Sequence, residues 1–214
     1  MKLKSLLAVS VTATILAAGA AAPAQASRTA TPGTTSLAEV LTSDGNQFDR
    51  NARDYDIVTE AVLAVLAAKP DSPVGLLADG TVPLTAFIPN DFSFRVLVKD
   101  LTGNWYRSER KVFTTLAGAV GIDAIESVLL YHVIPGVTID SKAALKANGA
   151  VLDTALEGAT LTVKVPCRWL PIIRLVDNDP NDVNPFVNPR ALDINKGNLQ
   201  IAHGIVFVLR PADL

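Results

Sequence analysis

The sequence is poor in the residues that build most catalytic and metal centres. Its 214 residues hold one cysteine and two histidines, Cys167, His132 and His203. One cysteine rules out an intramolecular disulfide and a cysteine-rich zinc or iron–sulfur site. With two histidines, any Ser-His-Asp triad has to use one of them. The chain carries no G-x-S-x-G elbow, no H-E-x-x-H helix and no glycine-rich phosphate loop. Charge of one sign is scarce as well, with 19 basic against 21 acidic residues. Without Lys2 and Lys4 the balance is 17 against 21, a formal charge of −4. A mildly acidic chain without a basic patch lacks the phosphate-neutralising charge that nucleic-acid affinity rests on. Disorder is excluded by a 49% hydrophobic fraction at low net charge. The length suits one domain, at most two, with a substantial core.

One long apolar run stands at the start. Lys2 and Lys4 precede an apolar stretch from Leu6 to Ala22, and Ala24-Gln25-Ala26 offers small residues where a signal peptidase reads. This pattern predicts a secretory signal over residues 1–26, cut after Ala26. The rival, a membrane anchor, is disfavoured by the Ala and Gly content and by the lack of a basic stop-transfer cluster. No second segment is expected to span a bilayer, so the mature chain is expected to be exported, without stable membrane insertion. Residues 27–36, rich in Ser, Thr, Pro and Gly, read as a flexible tether before a domain over 37–214.

Along the mature chain, Leu37 to Leu41 predicts a short helix capped by Ser36. A longer one opens at Asp54 or Asp56 and runs to Lys69, stopped by Pro70 and Pro73. Leu84 to Ile88 predicts a strand, ended by Pro89, with Asn90 or Asp91 starting a helix. Arg110–Ala117 and Asp123–Leu130 are two further helices, separated by Gly118 and Gly121. After Tyr131-His132 the pattern turns mainly to strand. Expected strands are 151–154, 161–165, 172–176, 191–194, 199–202 and 205–209, with a short helix from a Ser141 cap to Lys146. Helices in the first half and strands in the second make this an α+β chain. Pro166 to Pro189 is the least regular stretch and reads as a surface excursion.

Three motifs in this order resemble the signatures of fasciclin (FAS1) domains. They are Leu84-Thr85-Ala86-Phe87-Ile88-Pro89-Asn90-Asp91-Phe92-Ser93-Phe94, Leu130-Tyr131-His132-Val133, and Ile201-Ala202-His203-Gly204-Ile205-Val206-Phe207-Val208-Leu209-Arg210-Pro211. The resemblance covers about Leu37 to Leu214 and implies a wedge-shaped β-sheet core with helices packed over it. It makes Phe87, Pro89, Asn90 and His203 structural motif residues. It also implies a secreted, non-enzymatic adhesion module, a type with small bacterial versions. Animal relatives link the Tyr-His neighbourhood with integrin contacts, and the bacterial-looking signal argues against carrying that partner over. The chain departs from the family at Leu199-Gln200, where Asn-Gly is usual, and at Val206, where an acidic residue is typical.

Candidate contact residues are Trp105, Tyr106 and Arg107, types that dominate interface hot spots, together with the Tyr131-His132 corner. Tyr131 offers a large ring with one polar tip, and His132 can donate and accept at once, so a scaffold role at the helix end is favoured over proton transfer. No catalytic residue, metal ligand or cofactor is expected. Asp177 to Asp182 carries oxygen ligands at alternating positions, but lacks the EF-hand glycine and distal glutamate, and turn chemistry is favoured over calcium. Cys167 beside Arg168 is expected to be buried rather than reactive. The expected partner is a cell-surface protein, a matrix protein or a glycan. The alternative is a small-ligand carrier or hydrolase-like enzyme with a pocket between helices and sheet.

Overall fold

The computed structural model describes residues 31–43, 45, 48–167 and 169–212. The expected signal segment and the first part of the expected tether lie outside them, as do residues 44, 46–47, 168 and 213–214. The elements run α1 (Leu37–Thr42), α2 (Asp56–Ala68), a 3-10 helix (Pro73–Ala78), β1 (Leu84–Pro89), α3 (Asp91–Thr102), α4 (Glu109–Tyr131), β2 (Val133–Pro135), α5 (Ser141–Lys146), β3 (Val151–Asp153), β4 (Thr160–Lys164), β5 (Arg174–Val176), β6 (Phe186–Val187) and β7 (Gln200–Val206). Short polar residues start most helices by accepting a free first-turn N–H: Ser36 for α1, Asn90 for α3, Ser108 for α4 and Asp140 for α5.

The strands form one sheet in the order β2-β1-β7-β6-β5-β4-β3. Its centre is the parallel pair β1 and β7, in register from Leu84 opposite Gln200 to Pro89 opposite Ile205. The other pairings are antiparallel. The sheet curls until its two edge strands nearly meet: the N–H of Ala155, just past β3, donates to Val133 O of β2 at 2.8 Å. The result is a nearly closed α+β wedge with the helices concentrated in the N-terminal half.

Period-two alternation gives β1 two buried faces. Leu84, Ala86 and Ile88 pack under the helices with Ile57, Val65, Phe94, Val112 and Leu129. Phe87 points the other way, into a second core with Tyr131, Ile134, Leu161, Leu175 and Ile205 inside the curled sheet.

Several expectations are corrected. The two helices expected around Gly118 and Gly121 are present as the two halves of α4, which meet at the non-helical Gly121 (φ 78°, ψ 169°) and not at Gly118. No second segment was expected to be long and apolar enough to cross a bilayer; taken end to end α4 is, by length and composition, yet it is interrupted at Gly121 and buries Val112, Leu116, Ile125, Leu129 and Leu130 in the core. The strand expected over 191–194 is reduced to a single antiparallel bridge between Ile194 and Ala202, because Asp193 and Asn195 on either side of Ile194 take φ values of 54° and 66°, outside the extended region. The strands expected on either side of His203-Gly204 are one strand, β7. Gly204 sits inside it because a Cβ there would meet the Tyr55 hydroxyl at 2.4 Å and Ala191 Cβ at 2.6 Å. β7 then ends before Phe207, whose φ of 72° takes the chain out of the ladder and whose N–H donates to Ser93 Oγ at 3.0 Å. The cap of α5 is Asp140 rather than Ser141. The tether also ends earlier than expected: Gly33 N donates to Gly197 O at 2.8 Å, and Thr35 N to Asn198 Oδ1 at 3.0 Å.

Candidate functional site

The Tyr131-His132 corner closes α4. Tyr131 is fully buried, and its hydroxyl donates to Thr160 O of β4 at 2.8 Å, joining the helix end to the far side of the sheet. His132 is buried with both ring nitrogens committed to main chain. Nδ1 lies 2.7 Å from Val128 O, and Leu209 N lies 3.0 Å from Nε2. A carbonyl only accepts and an amide N–H only donates, so these partners fix a neutral ring with its proton on Nδ1. Burial depresses the imidazole pKa to about 4, with the Val128 carbonyl pulling weakly the other way.

His203, on β7, repeats the arrangement with the opposite tautomer. Nε2 donates to Ile139 O at 2.8 Å, and Nδ1 accepts from Asp193 N at 3.3 Å. Its ring lies against Phe87 with centroids 6.0 Å apart. Burial again lowers its pKa. The Asp193 carboxylate, 4.0 Å from Nδ1, is taken by Ser141 and Lys196, and despite partial burial these partners hold it down at about 2.

Pro89 ends β1, and Asn90 Oδ1 accepts from Ser93 N at 3.1 Å. Asp91 does something the sequence did not reveal: its Oδ1 accepts from Ile57 N at 3.0 Å, capping α2, which has no side-chain cap of its own. Asp91 and Ile57 are 34 residues apart, and only the fold pairs them.

Trp105 is exposed, Tyr106 half-buried under Lys111 Nζ, and Arg107 exposed. Trp105 meets the ring of Phe92 edge-on at 6.0 Å, and Phe92 is itself exposed at the start of α3. Phe92 was missed as a surface residue. Its neighbours Phe94, Leu97 and Val98 are buried, and helical spacing turns it away from them. Tyr131 and His132 are not part of this patch; both lie inside the fold.

The acidic stretch at Asp177 to Asp182 serves an arginine. Arg210 Nη1 reaches Asp179 at 3.3 Å, Nε lies 2.9 Å from Asp182, Nη2 meets Asp100 at 2.7 Å, and Arg210 N donates to Asp177 Oδ2 at 3.0 Å. Cys167 is half-buried rather than fully enclosed. Between the helices and the sheet lies an apolar cavity of about 60 Å³, touching Leu37, Val58, Phe94, Leu116, Val128 and His132. Pockets that enclose small-molecule ligands usually measure about 300–1,000 Å³.

No protein-family model and no curated protein matches this sequence. A solved structure does, that of a FAS1 domain pair from the insect cell adhesion molecule fasciclin I. It aligns with a TM-score of 0.55 at 16% identity over 83% of this chain and 51% of that one. The chain thus spans about half the length of that domain pair. The fold is fasciclin-like, an α+β FAS1 wedge.

Proposed function

We propose that this chain is an exported, non-enzymatic FAS1 module that works by binding a cell-surface protein, a matrix protein or a glycan. The observation that carries the reading is the state of the two histidines. Each imidazole spends both nitrogens on backbone groups, is buried and is held neutral, which leaves neither free to take a proton from a substrate. The fold supports the same reading, since the solved neighbour is named as part of a cell adhesion molecule. The exposed Phe92–Trp105 pair beside Arg107 is the candidate contact, because exposed aromatics flanked by arginine are what binding surfaces concentrate.

The test is capture from cell-surface extracts by the mature chain, repeated with Trp105→Ala. The reading expects at least a tenfold drop in captured partner with an unchanged melting temperature. Turnover in a hydrolase screen that disappears in a folded His132 variant would replace this reading with the enzymatic one.

A further inference from the structure

Three helix starts converge on one buried acidic centre. Asp54 stands just before α2, Asp91 opens α3 and Glu109 opens α4. One carboxylate oxygen from each lies within 4.8 Å of the others. Glu109 and Asp91 are fully buried. Part of the centre is satisfied: Arg95 donates to Glu109 Oε1 at 2.8 Å, Asp49 N to Glu109 Oε2 at 2.6 Å, and Ile57 N to Asp91 Oδ1. Part is not. Among the described residues, Asp91 Oδ2 has no hydrogen-bond donor, and neither has the buried Oδ1 of Asp54. Asp91 and Asp54 lie within side-chain hydrogen-bond reach of each other, and two carboxylates so placed need a proton or a cation between them; burial and the neighbouring Asp54 and Glu109 raise the Asp91 carboxyl well above the usual carboxylate range. With all three ionised, their charges against the Arg95 guanidinium leave a deficit of two, which a proton shared by Asp91 and Asp54 reduces to one.

We propose that Asp54, Asp91 and Glu109 form a calcium site that ties together the starts of α2, α3 and α4. Calcium fits on three counts. All the ligand atoms are oxygens, which a hard cation prefers. Oxygens up to 4.8 Å apart can share an ion at the 2.3–2.6 Å bond lengths calcium uses, while magnesium demands a tighter octahedron. A divalent charge closes the deficit that one shared proton would only halve. Asp54 also belongs to a second trio, Asp49, Asp54 and Asp56, in which Asp49 is exposed, so the centre has an edge open to solvent. This site is separate from the Asp177–Asp182 stretch, where Asp177, Asp179 and Asp182 each place an oxygen against Arg210.

The experiment is calcium chloride titration of the full mature chain at pH 7, read by calorimetry and thermal melting. The proposal expects half-saturation at about 0.1–1 mM, the range of extracellular calcium modules. It expects Tm to rise by about 4–8 °C at 10 mM calcium. Asp54→Asn should weaken binding at least tenfold, and Asp182→Asn should leave the calcium response intact. Should Asp54→Asn fail to fold, terbium on the wild type decides. Tyr55 is electrostatically coupled to Asp54 and Asp91, so it should sensitise terbium emission that calcium displaces and Tyr55→Phe weakens. No heat and no Tm change at 10 mM calcium would overturn the proposal. So would a response lost in Asp182→Asn but kept in Asp54→Asn, or terbium emission indifferent to calcium.

Discussion

His132 is bonded to residues on either side of it in the sequence, Val128 one helical turn back and Leu209 77 positions on. Replacing it with leucine leaves a buried N–H and a buried carbonyl without partners, at about 1–3 kcal/mol each. The cost is pH-dependent. The folded ring binds its proton near pH 4 and the unfolded ring near 6.5, so between these values the unfolded chain holds more protons. The stabilisation from His132 is therefore complete above pH 6.5 and is lost as the pH falls toward 4. In urea denaturation, the stability gap between wild type and His132→Leu should shrink by about 3 kcal/mol between pH 7 and pH 4. A gap that stays constant with pH would mean the ring is not held neutral by the fold. Tyr131→Phe isolates a smaller effect. It removes the hydroxyl and its bond to Thr160 O while keeping the ring, and should cost about 1–2 kcal/mol without altering the fold.

Helix α4 owes its shape to Gly121, whose backbone (φ 78°, ψ 169°) lies in a region that side chains rarely enter. A Cβ at that position would meet nothing within 4 Å, so the penalty for Gly121→Ala is purely conformational, about 1–3 kcal/mol by thermal or chemical denaturation. Sequence periodicity found both halves of α4, because Val112, Leu116, Ile125 and Leu129 carry the helical spacing. The break read there is real, because the Gly121 backbone leaves the helical region and separates the two halves. Gly204, by contrast, misled. It was read as turn punctuation, and its role is to let Ala191 and Tyr55 press against β7. The start of α3 was legible: Pro89 stops the ladder and Asn90 caps, both through bonds made within a few residues. The use of Asp91 by α2 was not, because its partner is set by packing between elements.

Across the whole molecule, the chain is closed by its ends. Gln200, at the start of the last strand and fully buried, accepts from Leu37 N at 2.8 Å and donates to Leu76 O at 2.8 Å and Asp79 O at 2.7 Å. One amide side chain thus holds α1 and the 3-10 helix to β7. Gln200→Leu leaves the buried Leu37 N without its acceptor and takes a donor from Leu76 O and Asp79 O, which keep Asp79 N and Val82 N; it should cost about 1–3 kcal/mol, seen as a lower urea midpoint in one cooperative transition. In the sequence this position registered only as a departure from the family pattern, because nothing local reveals an amide with partners more than 100 residues away. The general architecture was legible from three short motifs, while the bonds between the two ends of the chain were not. The central claim is that the two imidazoles are fixed parts of the scaffold. The most direct measurement is nitrogen-15 NMR of both rings from pH 7 to pH 5. The account predicts two neutral, non-exchanging tautomers, protonated on Nδ1 in His132 and on Nε2 in His203, with His132 unchanged across the range. A His132 ring that titrates near 6.5, or either ring averaging between tautomers, would contradict it.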